Sequence, residues 1–200
     1  PAPTNPSAQA AGQTEINLTW DTVPGATGYA VYRGTSSGGP YTKIATPTQN
    51  SYSDTGLTPG TTYYYQVAAT DSSGEGTRTA EFSAATAAQL PAPGNVTAQA
   101  QGPNSIQLTW DAVGSATGYR IFRSDSSSGP FSEIGTETGT SYTDTGLTPS
   151  TTYYYQVAAY DASGDGVRSA NASATTQAAP LPAPANPSAQ AASQTEITLT

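Results

Sequence analysis

The sequence predicts an all-β protein made of β-sandwich modules in tandem, and three observations support this prediction. The first is an internal repeat, because residues 61–69 return unchanged at residues 151–159. The second is the alternation of apolar and polar residues through Ile16, Leu18 and Trp20, which is typical of a strand with one buried face. The third is the spacing of Gly, Pro, Ser, Asn and Asp clusters, which separate such segments at the intervals of about 8–12 residues found in sandwiches.

The repeat defines the expected domain boundaries. A unit of about 90 residues is long enough to bury a core of its own. We therefore expect one module at residues 1–90 and a second at residues 91–181, each opening with Pro-Ala-Pro. The same tripeptide returns at the start of residues 182–200, which we expect to be the first strands of a third module. Thr200 falls one residue before the position of the next tryptophan, and we expect that the parent polypeptide continues. The alternative is that a neighbouring molecule supplies the missing strands.

The segments between modules are rich in alanine and proline. Two prolines separated by alanine, as in residues 87–93 and 178–184, favour an extended polyproline conformation. The joints should therefore be short and semi-rigid. In the third copy, Ile197 and Leu199 continue the apolar alternation of the first two strands, and we expect them in an extended pair that the rest of this chain buries little.

The composition excludes several classes of function. The chain has 6 Lys and Arg against 14 Asp and Glu, for a net charge of −8, and it contains no Cys and no His. Nucleic-acid binding needs clustered cations, so nucleic acid is not an expected partner. Thiolate and imidazole chemistry are excluded, and no apolar run is long enough to insert into a membrane. The sequence predicts a protein that is not an enzyme, without catalytic, cofactor-binding or metal-binding residues.

One hairpin resembles half of a calcium loop. Asp161, Ser163 and Asp165 occupy the first, third and fifth positions of such a loop, and Gly166 follows them. The twelfth position, which should hold a bidentate Glu, is Ala172. The alternatives are a calcium site and a plain Asp/Gly turn, and the missing ligand favours the turn.

Four aromatic residues are candidates for surface contacts. They lie either on the outward side of a strand or beside a proline turn: Tyr41, Tyr64, Phe131 and Tyr154. Such rings could stack on sugars or pack against a neighbouring molecule. The alternative, which we favour, is that tyrosine simply suits the outer face of a strand.

The two copies share a set of motifs in a fixed order. These are Trp20 with residues 28–33, 37–41, 52–63 and 71–74, and Trp110 with residues 118–123, 129–131, 142–153 and 161–164. In this combination each copy resembles a fibronectin type III module of the bacterial kind. The resemblance implies tandem seven-strand, two-sheet, immunoglobulin-like β-sandwiches.

The resemblance also implies a structural signature. It consists of six residues that repeat in the two copies: Trp20, Leu57 and Tyr63, and Trp110, Leu147 and Tyr153. The tryptophans are expected between the two sheets. Each tyrosine is expected to form a tyrosine corner, in which its hydroxyl donates to a backbone carbonyl near the leucine of the same module.

These observations favour a non-catalytic structural repeat region. We expect an extracellular bacterial stalk, adhesin shaft or filament, whose partners are like modules of the same or neighbouring chains. The alternative is a spacer or accessory region of a secreted polysaccharide-degrading enzyme. A further alternative is a weak carbohydrate-binding module that contacts surface glycans. Fold does not decide among these functions.

Overall fold

The computed structural model describes residues 1–182 and the strands at residues 189–193 and 196–199. It contains two modules of the same architecture, which are built from strands and connecting turns. The described residues contain no helix that is long and apolar enough to cross a membrane.

The first module has two antiparallel sheets. Its strands are β1 (Ser7–Ala10), β2 (Glu15–Thr19), β3 (Gly28–Gly34), β4 (Thr42–Ala45), β5 (Ser51–Thr55), β6 (Thr62–Asp71), β7 (Gly74–Arg78) and β8 (Phe82–Ala85). One sheet has the order β1-β2-β5, and the other has the order β4-β3-β6-β7, with β8 also paired to β6. Leu18 lies opposite Tyr52 in the register of β2 with β5, so the apolar residues of both strands share one face.

The seventh strand of the sandwich is present as two segments, β7 and β8. Thr79, which lies between them, is buried. Its backbone N–H donates to the Val67 carbonyl at 2.8 Å, and its hydroxyl accepts from the Val67 N–H at 3.1 Å. The hydroxyl replaces a backbone carbonyl of the ladder, so the strand is interrupted without leaving a buried N–H unbonded.

The second module repeats this arrangement. Its strands are β9 (Thr97–Ala100), β10 (Ser105–Thr109), β11 (Gly118–Ser124), β12 (Ser132–Glu137), β13 (Ser141–Thr145), β14 (Thr152–Asp161), β15 (Gly164–Arg168) and β16 (Ala172–Thr175). The sheets have the orders β13-β10-β9 and β12-β11-β14-β15, with β16 paired to β14. The prediction of tandem all-β, two-sheet sandwiches is therefore confirmed.

The core of each module lies between its two sheets. Trp20 is 2% exposed and Trp110 is 5% exposed. Each indole packs against the tyrosine of the next strand, with ring centroids 5.3 Å apart for Trp20 and Tyr29. Among the described residues neither indole nitrogen has a hydrogen-bond partner, so the tryptophans stabilise the core through packing and apolar area.

The tyrosine corner has the opposite hydrogen-bond polarity from the expected one. The hydroxyl of Tyr63 accepts a hydrogen bond from the N–H of Thr58 at 3.0 Å, and the hydroxyl of Tyr153 accepts from the N–H of Thr148 at 3.1 Å. In both modules the residue after the leucine presents its N–H to the ring hydroxyl. In the second module the carbonyl of Leu147 also accepts from the Asn104 side chain at 2.6 Å.

A buried carboxylate connects the two sheets of the first module. Asp54 of β5 is 3% exposed. Its two oxygens accept from Arg33 Nη1 at 2.8 and 3.0 Å, and Oδ2 also accepts from the Tyr65 hydroxyl at 2.9 Å. Since β3 and β6 belong to the other sheet, these bonds join one sheet to the other. Burial raises the pKa of the Tyr65 hydroxyl, and its hydrogen bond to Asp54 raises it further.

The second module repeats the same three-residue contact. Asp144 of β13 accepts from Arg123 Nη1 at 3.0 Å on both oxygens, and from the Tyr155 hydroxyl at 2.8 Å. Burial and the bond to Asp144 raise the pKa of the Tyr155 hydroxyl in the same way. The sequence pattern alone does not predict this contact.

The third copy begins with an antiparallel pair of strands. These are β17 (Ala189–Ser193) and β18 (Glu196–Leu199). In their register, Ala191 lies opposite Ile197 and Ala189 lies opposite Leu199. The expected low burial of the Ile197 and Leu199 side chains lies outside the described part of the chain.

Replacing Tyr65 with Phe should lower the free energy of unfolding of the first module by about 1.5–3 kcal/mol, because a buried carboxylate loses a donor. The matched control is Tyr64→Phe, the half-buried neighbour on the same strand, for which we expect a change within about 0.5 kcal/mol. Urea unfolding followed by Trp20 fluorescence, in a Trp110→Phe background, measures both. Equal losses in the two variants would contradict the proposed importance of the Asp54 contact.

The raised pKa of Tyr65 also predicts a pH dependence. Above the ordinary tyrosine pKa of about 10, the unfolded state loses this proton while the folded state retains it. The free energy of unfolding of the first module should therefore fall by up to about 1.4 kcal/mol per pH unit. Below pH of about 10 this contribution is constant.

The same urea titrations, repeated between pH 9 and 11, measure this slope. Tyr65→Phe should make it shallower in the first module. The second module, followed by Trp110 fluorescence in a Trp20→Phe background, should keep its slope, because Tyr155 is intact there. An identical slope in the parent and in the variant would show that Tyr65 is not the group responsible.

Candidate functional site

The four aromatic candidates for surface contacts are all half-buried: Tyr41, Tyr64, Phe131 and Tyr154. Tyr64 and Tyr154 lie on the central strands β6 and β14, where they alternate with buried tyrosines. Each ring therefore presents part of its surface outside the sandwich.

The hydroxyl of Tyr41 is already bonded within the protein. It donates to the carboxylate of Glu81, which also accepts from the Ser37 hydroxyl and the Gly38 N–H, both at 2.7 Å. The bond from Tyr41 is the largest cause that lowers the pKa of Glu81, and the two other donors lower it further. This carboxylate closes the turn before β4.

The second module closes the same turn differently. Phe131 replaces the tyrosine, and Asn171 replaces the glutamate. The Asn171 side chain donates to the Ser127 carbonyl at 2.7 Å. The aromatic ring is retained while its polar partner changes, so the two turns do not present a common pattern of hydrogen-bonding groups.

The outer face of the larger sheet in the first module carries a charged cluster around Tyr32. Its hydroxyl donates to the Glu75 carboxylate at 2.6 and 2.7 Å, and Lys43 Nζ donates to the same carboxylate at 2.7 Å. The Arg78 guanidinium lies 3.5 Å from the centroid of the Tyr32 ring. The bonds from Lys43 and Tyr32 lower the pKa of Glu75.

The corresponding face of the second module keeps the stacked arginine but changes the ion pairs. Arg168 lies 3.6 Å from the centroid of Phe122. Arg120 pairs with Asp165 at 2.8 Å and with Glu133 at 3.2 Å. The basic residues of both modules are engaged with carboxylates or rings, so within residues 1–182 they do not form a basic patch.

The calcium-like hairpin is held by its own aspartate. Asp161 Oδ1 accepts from the N–H and hydroxyl of Ser163, at 2.8 and 2.6 Å, and from the N–H of Gly164 at 3.2 Å. The Ser163 hydroxyl is the largest cause that lowers the pKa of Asp161. Asp165 instead pairs with Arg120. The two carboxylates therefore serve different internal contacts, as expected for an Asp/Gly turn.

Leu90 forms the joint between the modules. The expected boundary places it at the end of the first module, but its side chain is 8% exposed and belongs to the core of the second. Its carbonyl accepts from the N–H of Val167 on β15 at 2.9 Å. Gly166 permits this close approach, since a Cβ there would lie 2.8 Å from the Leu90 Cβ and carbonyl oxygen.

The chain before Leu90 is bonded to the first module. The N–H of Ala87 donates to the carbonyl of Gly12 at 3.0 Å. Two residues separate Ala87 from Leu90, and one of them, Gln89, donates from its side chain to the carbonyl of Asp165 at 3.2 Å. The linker is therefore bonded at one end to each module, with little chain between.

The modules also contact each other directly beside the linker. A Cβ on Gly164 of the second module would lie 3.2 Å from Nε2 of Gln13 in the first. A Cβ on Gly12 would lie 3.5 Å from the carbonyl oxygen of Ser163. Gln13 is 9% exposed, so the turn between β1 and β2 packs against the β14–β15 hairpin. Two separate contacts thus stiffen the joint.

Both modules match one known domain family. The model of the fibronectin type III domain matches residues 1–85 and again residues 91–175. The chain therefore belongs to the fibronectin type III family, as two domains in tandem. The crystal structure of the chicken CNTN1 FN1-FN3 domains has the same fold, with a TM-score of 0.51 and 21% identity, over 88% of this chain and 67% of that one.

Relatives include both enzymes and a receptor. Exoglucanase B of Cellulomonas fimi is 34% identical over 227 aligned residues, which cover 100% of this chain and 19% of the enzyme. Receptor-type tyrosine-protein phosphatase F of Rattus norvegicus is 31% identical over 93% of this chain and 10% of its own length. Alpha-amylase of Niallia circulans is 44% identical over 90 residues, 43% of this chain and 6% of the enzyme. The chain thus spans a fifth or less of each relative.

Replacing Leu90 with Ser should lower the free energy of unfolding of the second module by about 2–4 kcal/mol, since a buried apolar side chain is lost. The first module should be unaffected. Hydrogen exchange in urea, followed by mass spectrometry of peptides from each module, separates the two effects.

The matched control is Ala88→Ser, an exposed position in the same linker, which should change neither module. Loss of protection in the first module instead of the second would contradict the assignment of Leu90.

Proposed function

We propose that this chain is a spacer or accessory region of a secreted bacterial enzyme that degrades a polymer. The match of the whole chain to a part of Exoglucanase B is the observation that carries this proposal. The match to part of an alpha-amylase supports it, because that enzyme also acts on a polysaccharide. Polysaccharides are degraded outside the cell, and we therefore propose an extracellular location for this chain.

The region itself would be non-catalytic. Fibronectin type III domains are generally non-catalytic modules, and the matched parts are small fractions of the enzymes. The chain has no His and no Cys, and the carboxylates of Glu75, Glu81 and Asp165 are engaged in hydrogen bonds and ion pairs within their modules. The chemistry of the parent protein would then reside in a separate domain.

The joint fits a spacing role. Leu90 packs in the second module while the two preceding residues lead directly from the first, and Gln13 contacts the opposite hairpin. A joint with so little free chain would hold two modules apart at a defined distance. A stalk, adhesin shaft or filament could use the same joint, but the bacterial relatives named above are enzymes, which favours the spacer.

A glycan-binding role has weaker support. The hydroxyl of Tyr41 is bonded to Glu81, and the corresponding turn of the second module has Phe131 and Asn171. A binding site repeated in both modules would be expected to present similar polar groups around its ring. We therefore propose that surface glycans contact the attached domains of the enzyme more than these modules.

A chimera tests the spacer role. Residues 1–181 are placed between a cellulase catalytic domain and a cellulose-binding domain, and compared with direct fusion and with a Gly/Ser linker of equal span. We expect activity on insoluble cellulose to exceed that of the direct fusion, with activity on a soluble oligosaccharide unchanged.

Two experiments on the unfused chain test the alternative functions. Sedimentation with insoluble cellulose and starch should leave it in the supernatant, and electron microscopy should show separate particles. Retention on a polysaccharide would favour a binding module, and fibres would favour a filament; either result would overturn the spacer proposal.

A further inference from the structure

The first module has a groove at the place where the second module holds Leu90. This first-module groove has a volume of about 240 Å³ and lies between the β6–β7 hairpin and the loop after β2. Its apolar walls include Val23, Ala26 and Ala69, and its floor includes Gly76. An engineered cavity of about 150 Å³ already accepts benzene, so this groove has room for a leucine side chain.

Three apolar residues that line the groove have identical counterparts in the core cluster that contains Leu90. Ala159 belongs to the same core cluster as Leu90, and Val113 and Ala116 pack against that cluster. In the repeat these residues match Ala69, Val23 and Ala26 of the first module. The correspondence means that one type of side chain would fit both modules.

A glycine in the lining of the groove also leaves space for the backbone of a residue placed like Leu90. In the second module, a Cβ at Gly166 would lie 2.8 Å from the Leu90 carbonyl oxygen and 3.0 Å from that of Ala159. In the first module, a Cβ at Gly76 would lie 3.4 Å from the Ala69 carbonyl oxygen and 3.6 Å from that of Pro1. Glycine thus leaves space at Gly76 for a chain that approaches as Leu90 does.

A second leucine has the same sequence context. Leu181 precedes Pro182 as Leu90 precedes Pro91, at the start of the next Pro-Ala-Pro segment. Its exposure is 92%, whereas that of Leu90 is 8%. The Leu181 side chain therefore does not pack in the core of the module that precedes it.

We propose that each module binds, in this groove, the apolar side chain of the residue that immediately precedes its own Pro-Ala-Pro segment. The modules thus interlock in series, with one leucine at each joint. The first-module groove would bind a leucine placed before Pro1. Leu181 would pack in the corresponding groove of the module that starts at residue 182. This assembly rule is independent of the proposed spacer function.

The experiment compares three full chains: the parent, the parent with Gln-Leu added before Pro1, and the parent with Gln-Ser added there. The Gln-Leu chain reproduces the residues that precede Pro91. Its first module should gain protection from hydrogen exchange, most of all at the N–H of Thr77, which matches Val167. We expect exchange to slow by about tenfold or more, because burial of a leucine side chain is worth at least this factor in an equilibrium constant.

The Gln-Ser chain is the matched control, and it should show little of this gain. Equal protection in the two extended chains would mean that added backbone alone is responsible, and no gain in either would mean that the groove does not bind the residue; both results overturn the proposal. Leu181→Ser provides a further check, because it should leave the protection of the second module unchanged. A loss of that protection would show that Leu181 packs backward and would also overturn the proposal.

Discussion

A buried carboxylate that joins the two sheets is the contact on which each module depends. Asp54 lies on one sheet and accepts hydrogen bonds from Arg33 and Tyr65 on the other. The charge is removed from water, and its desolvation is offset because several donors converge on it. The apolar residues of β2, β3 and β6 would pack in several relative positions, but this polar contact is satisfied in one. We therefore expect this contact to select one alignment of the two sheets.

The fold could be predicted from the sequence because its signals are local and repeated. Alternation through Ile16, Leu18 and Trp20 reports which face of β2 is buried, and the turn clusters mark where strands end. The Asp54 contact could not be predicted in this way, because its partners, Arg33 and Tyr65, lie on two other strands, β3 and β6. The polarity of the tyrosine corner was predicted wrongly for a related reason. The sequence does not show whether a backbone N–H or a backbone carbonyl beside the leucine faces the ring hydroxyl.

The two modules share a core but have different outer faces. The stacked arginine stays above its ring, as Arg78 above Tyr32 and Arg168 above Phe122. The surrounding ion pairs change, with a cation on β4 in one module and on β11 in the other. The faces thus preserve ion pairing and ring coverage while individual residues vary. Such variation is typical of a surface whose main role is to protect the sheet from water and from pairing with other chains.

The packing of Leu90 in the second core was not predicted from the sequence for a different reason, since a lone leucine beside proline is typical of a linker.

The position of Leu90 also separates two definitions of the repeating unit. By sequence, the second domain match begins at residue 91, after the leucine. By packing, the unit begins one residue earlier, because Leu90 belongs to the second core. A gene segment duplicated or excised at the sequence boundary would leave a module without one of its own core residues. The unit that can move between proteins without this loss is thus a sandwich that carries its leucine at its amino-terminal end.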